Sequence, residues 1–248
     1  MSASAHSMWV ESRDVANVGD SQDIYTFYGH MNDPTGMNVP LLDETYLLTP
    51  DGQKLNLKID KGNWLPAYGW MEYGRSNATF YWPGNYVYIA ARSPSVYDPA
   101  WGEGGASNPR LGYSFAKVLI HVGNETNAIV NTSLPLDLTP EKASYDIHIK
   151  DNVTFSVLYQ GKQVNATYSA FPVTSSQKVQ SGATKDKDSF VINFNQGGLW
   201  QVSAIYDIAG KGEWTATYDQ SSGHFKTGEK VPYIVTRYST VMSIWVRK

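Results

Sequence analysis

The chain has 248 residues, enough for one large or two ordinary domains, and 42% of them are hydrophobic against 17% charged, a balance that excludes a disordered protein. A net charge of -3, with no basic patch, argues against a nucleic-acid partner. Cysteine is absent, so thiolate metal sites, cysteine nucleophiles and disulfide frameworks are all excluded, leaving imidazole, carboxylate, hydroxyl and backbone groups for any chemistry.

In chain order the first feature is "MSASAHSMW". Ala3-Ser4-Ala5 has the small-x-small form of a signal-peptidase site, and cleavage after Ala5 would make His6 the first residue. Cleavage before Ser4 would instead leave Ser-Ala-His. Either start offers an amine and an imidazole to a square-planar ion such as Cu(II) or Ni(II). An idle histidine on a frayed terminus is the plainer alternative. The run "DIYTFY" then predicts a strand, and "GHMNDPTG" ends it with a turn. His30 is either a ligand at that strand end or a turn histidine capping local backbone. Asp33 is either its outer-shell partner or simply part of an Asn-Asp-Pro turn.

Residues 45–59 read as a hairpin, with Pro50-Asp51-Gly52 at the turn and Leu55, Leu57 and Ile59 sharing one face. The cluster "NWLPAYGWMEYG", residues 63–74, holds Trp64, Tyr68 and Trp70, expected as core, with stacking on sugars as the alternative. In "ATFYWPGNYVYIAAR", Pro83-Gly84 separates two aromatic strands. "YSFAKVLIHVG" makes another, with Val118, Ile120 and Val122 on the face opposite Leu119 and His121. The stretch 131–145 contains two prolines and no sustained alternation, which places a domain boundary there. "NVTFSVLYQGKQVNATYSAF" follows as two strands about a Gln160-Gly161 turn. "SFVINF", "LWQVSAIY", "EWTATY" and "STVMSIWV" supply further strands. "TKDKDSF" lacks the glycine and distal glutamate of a calcium loop and reads as a charged turn. The expected fold is all-β: two tandem Ig-like or prealbumin-like β-sandwich domains, at residues 6–134 and 145–248.

Several of these segments, "MWVES", "FYGHMND", "WPGNYVYIAAR", "AKVLIHVG", "LPLDLTP" and "VLYQGKQVNATYSAF", occur in the order that resembles the NikM-like exported proteins. That family is described as a periplasmic component of ABC-type cobalt or nickel transport. The second half resembles the carboxypeptidase-regulatory-like sandwich, in which "GKQVNATY" is the strand–turn–strand signature, although the usual proline after Lys162 is missing. The resemblance implies an exported protein, periplasmic or on the cell surface, with a divalent transition metal as cargo: nickel or cobalt, with copper and zinc as further candidates. It also implies a membrane permease as partner. His6, ahead of Trp9-Val10, and Gly29-His30 match the family's histidine positions; Met31 replaces its aromatic or proline.

Among the other histidines, His224 in "SSGHFKTG" is a third candidate ligand, His148 is expected to face solvent from a strand, and His121 to meet the second sheet. Sequons at Asn77, Asn124, Asn131, Asn152 and Asn165 fit an exported glycoprotein. No apolar run is long enough to span a bilayer, and a membrane anchor after Lys248 in a longer precursor stays open. There is no Gly-x-Ser-x-Gly elbow and no phosphate-cradling glycine loop, so no enzyme is expected. The alternative to metal capture is a structural or adhesive surface module that binds a protein or a glycan.

Overall fold

The structure is a computed structural model and describes residues 6–29, 42–66, 69–102, 104–125, 132–173, 179–186 and 189–248. Within these, the regular structure is strands and two 3-10 turns, at Pro99–Trp101 and Ser144–Asp146. The expected all-β class is what the chain forms.

The first half contributes β1 (Ser7–Glu11), β2 (Val15–Ala16), β3 (Ser21–Gly29), β4 (Leu42–Leu48), β5 (Lys54–Asn56), β6 (Asp60–Leu65), β7 (Gly69–Thr79), β8 (Gly84–Tyr97) and β9 (Arg110–Val122). The second contributes β10 (Leu136–Pro140), β11 (Asn152–Tyr159), β12 (Lys162–Gln163), β13 (Thr167–Pro172) and β14 (Gln180–Ala183). It ends with β15 (Phe190–Asn193), β16 (Gly198–Thr215) and β17 (Lys230–Val246).

Three sheets result. A nine-stranded sheet runs β14-β13-β16-β17-β9-β8-β4-β5, with β2 added beside β9. The other two have four strands each: β1-β3-β7-β6, and β10-β11-β12 with β15 on the other side of β11. The large sheet serves both halves because β17, antiparallel to β16, also pairs in parallel with β9.

Alternation along β9 and β17 shows where the small sheets sit. Ala116, Val118, Ile120 and Val122 of β9 join Met8, Val10, Ile24 and Ala78 of the first small sheet in one core. Leu119 of β9 and Met242, Ile244 and Val246 of β17 join Leu136, Leu138, Val153, Phe155 and Val157 in another. Met242 is the register partner of Lys117, and Val241 of Ala116, so the two cores lie on opposite faces of the shared sheet. The result is two sandwiches with one common layer. Near-continuous apolar runs such as "AKVLIHV" are what a strand covered on both faces needs.

Local chemistry sets the turns. Gln160 and Gly161 both have positive φ, 49° and 75°, the left-handed pair that closes the β11–β12 hairpin. "LWQVSAIY" and "EWTATY" form one strand instead of two, with a register shift between Ala209 and Gly212. A Cβ on Gly212 would come within 2.4 Å of the Tyr233 hydroxyl oxygen, so only glycine lets that ring cross the strand. "LPLDLTP", read as a break, contains β10, which pairs with β11. In "KLNLKI" only Lys54–Asn56 is strand; Leu55 is exposed, while Leu57 reaches the first core.

Candidate metal site

Four of the five histidines fall within the described residues; His30 and Asp33 lie outside them. His6 is exposed and immediately precedes β1. Its ring meets Tyr28 of β3 edge-on, with centroids 5.5 Å apart at 84°. The Arg92 guanidinium lies 4.8 Å from the centroid of the same tyrosine ring. β1 and β3 pair from Ser7 with Gly29 through Glu11 with Tyr25. The residues flanking the first pair are His6 and, in the sequence, His30.

His224 belongs to a different place. Its ring stacks on Trp101, 4.6 Å between centroids and 7° between planes. Trp101 packs in the cluster of Val96, Leu111, Phe225 and Val231, at the start of β17. β1 lies against the other end of β17, where Ser243 Oγ donates to Val10 O and Trp245 Nε1 donates to Ser12 O at 2.6 Å. Counting about 3.3 Å per strand residue, His224 and His6 are on the order of 25 Å apart. The fold does not bring them together.

His121 stacks on Tyr145 of the second half, 3.9 Å between centroids, as a histidine meeting the second sandwich should. Its Nδ1 bonds to Asn85 Oδ1 at 2.8 Å. Burial, with the Arg247 charge adding to it, holds its pKa below the ordinary histidine value. His148 makes an isolated bridge with Arg247, outside any strand, and its Nδ1 bonds to Asp146 O at 3.0 Å. Three of the four described imidazoles thus pack against an aromatic ring. Among the described residues no three His, Asp or Glu side chains group as metal ligands.

The surface holds aromatics expected as core. Trp64 is 50% exposed and Trp70 80%, and they are register partners across the β6–β7 hairpin. Met71 and Tyr73 of the same cluster do pack inward, with Trp9, Phe27 and Val241. Tyr68 lies outside the described residues. Trp70 shares its parity with exposed Glu72 as well as with buried Gly74, Ser76 and Ala78, and Met71 is buried, so the alternation changes phase within β7. The available warning is the glycine–proline setting of "WLPAYGW", which marks a hairpin tip.

A family model described as a domain of unknown function, DUF4198, matches residues 3–208. The match ends inside β16 and leaves β17 outside it. The curated proteins contain no match to the chain.

Proposed function

From the premise that the chain belongs to the DUF4198 family, we propose that it is an exported metal-binding accessory of nickel or cobalt uptake. It would work by capture and not by catalysis. The ion is cargo, held by neutral imidazole nitrogens at one end of the first sandwich and passed to a membrane permease. Copper and zinc are the competing ions, because the same nitrogen donors suit them. The supporting observation is the β1–β3 register: Ser7 pairs with Gly29, His6 precedes the first and His30 follows the second. The resemblance to NikM-like proteins supplies the cargo class and the permease. If processing begins the mature chain at His6, its amine adds a second nitrogen to the same residue. His224, on another part of the surface, is not needed.

Calorimetric titration with Ni(II), Co(II), Cu(II) and Zn(II) tests this on a chain beginning at His6. One ion should bind per chain, and affinity should drop below pH 6.5 by up to about tenfold per unit for each imidazole that must lose a proton. His6→Ala and His30→Ala should each abolish most of the binding, whereas His224→Ala should not change it. Absence of stoichiometric binding, or binding indifferent to His6 and His30, removes the reading.

The exposed Trp64–Trp70 pair favours a second reading, a surface module that binds a glycan or a protein through these indoles. Glycan-array binding that Trp70→Ala abolishes, with no metal bound, would select it; an array without hits would discard its glycan form.

A further inference from the structure

β10 ends at Pro140, and the 3-10 turn Ser144–Asp146 follows, packed on β9 and β17. Tyr145 of that turn stacks on His121 of β9, which pins the turn against the shared sheet. A serine in a turn usually directs its hydroxyl to local backbone. Ser144 does not: it is 1% exposed, and among the described residues no group bonds to its Oγ. A hydroxyl buried without a partner costs the fold its desolvation penalty with nothing in return, so the orphan calls for one.

Ser144 lines a cavity in the seam between the two halves, together with Lys117 and Thr132. Val87 and Leu119, register partners on β8 and β9, and Met242, opposite Lys117 on β17, give it apolar walls. The room it leaves for the centre of a water-sized sphere is about 10 Å³. That is about the least that admits one water, and a molecule confined so closely touches the groups around it.

Lys117 brings the second unfilled capacity. Its ammonium has three N–H donors. Among the described residues, Asp137 Oδ1 accepts one of them. Thr132 Oγ1 donates to Asp137 Oδ2 at 2.7 Å and keeps a lone pair free to accept. Because Asp137 already balances the lysine charge, a neutral guest suits the space better than an anion.

We propose that this cavity binds one water molecule as a built part of the seam. Its oxygen accepts from the Lys117 ammonium, and one of its hydrogens goes to Ser144 Oγ. The second hydrogen finds the Thr132 hydroxyl in the same lining. A polar chain then runs from Ser144 through the water and Lys117 to Asp137, fastening the turn after β10 to β9. The site is separate from metal capture, and neither outcome bears on the other.

A high-resolution crystal structure of the whole chain and melting curves of variants test this. The expected density is a single peak within about 2.5–3.2 Å of both Ser144 Oγ and Lys117 Nζ. Ser144→Ala removes one bond to the water and should lower Tm by about 2–4 °C. The sign decides, because in a dry cavity the same change deletes an unpaired polar group and raises Tm. In the background Lys117→Met with Asp137→Leu the water has lost its ammonium, and the drop should shrink to under about 1 °C. If that background does not fold, the density in the wild-type seam decides alone. A peak within reach of Ser144 only, or equal drops in the two backgrounds, overturns the bridge to Lys117. A well-ordered seam without density in the cavity, or a Tm that rises with Ser144→Ala, overturns the site.

Discussion

The seam between β9 and β10 and the tie between the two ends of the chain are built from the same parts, a buried aspartate and a basic side chain from a distant strand. At the seam, Lys117 is 5% exposed and Asp137 6%, and their side chains form an ion pair. At the tie, both Arg247 terminal nitrogens lie 3.0 Å from the Asp14 carboxylate. Yet the pKa values of the two carboxyls are shifted in opposite directions. Burial pushes Asp137 up, but Lys117, the Thr132 hydroxyl and the Leu138 backbone N–H together bring it below the usual carboxylate value. Burial also pushes Asp14 up, and there Arg247 with one local backbone bond does not outweigh it. Each carboxylate has three donors, so the burial of the cation makes the difference: Lys117 keeps 6% of its side chain in water and its charge leads the causes that lower Asp137, whereas Arg247 keeps 30%.

The comparison breaks most sharply at Lys117. Lys117→Ala strands Asp137 in the interior and should cost about 3–5 kcal/mol in urea unfolding at pH 7, whereas Lys117→Met with Asp137→Leu should recover most of that. A single-variant loss below about 1 kcal/mol would mean that the seam is no stronger than a surface pair. The sign with pH follows from the lowered pKa of Asp137. Its contribution is complete above pH 3.8 and is lost as pH falls through its folded value, at up to about 1.4 kcal/mol per unit. The double variant should lack that part of the acid slope. Asp14 acts the other way, its contribution being complete below pH 3.8 and lost as pH rises through its raised value.

A smaller effect is expected at the tie, because Arg247 keeps 30% of its side chain in water. Arg247→Ala should cost about 1 kcal/mol. It should also raise the pKa of His121, since the Arg247 charge is one of the causes lowering it. Lowered histidine pKa means stability that is complete above pH 6.5 and is lost as pH falls through the folded value. The variant should therefore show a narrower window of that loss, read from the imidazole signals in an NMR titration. An unmoved His121 would separate the tie from the histidine beside it.

Much of the architecture is written locally. "AKVLIHV" announces a strand with two covered faces, and Leu119 and His121 do meet the second sandwich while Val118, Ile120 and Val122 meet the first. Pro83-Gly84 and Gln160-Gly161 locate their turns. What alternation does not carry is the choice of partner strand. β17 finds β9 across more than half the chain, and a parallel partner leaves no mark in either strand's own pattern. Trp70 fails for a related reason: the inward phase of β7 changes between Met71 and Gly74, and that change belongs to the tertiary arrangement. Histidines are harder still. Their packing against Tyr28, Tyr145 and Trp101 joins residues with no shared motif, so a ligand and a stacked ring look alike in the sequence.

One strand gives the molecule a mechanical character. Because β17 is zipped to β16 along one edge and to β9 along the other, a pull on Lys248 along the strand would load both ladders lengthwise. Many backbone bonds would have to shear together before the first one opened, unlike a hairpin peeled from its end. A tether attached at that terminus would pull on a strand that both sandwiches share.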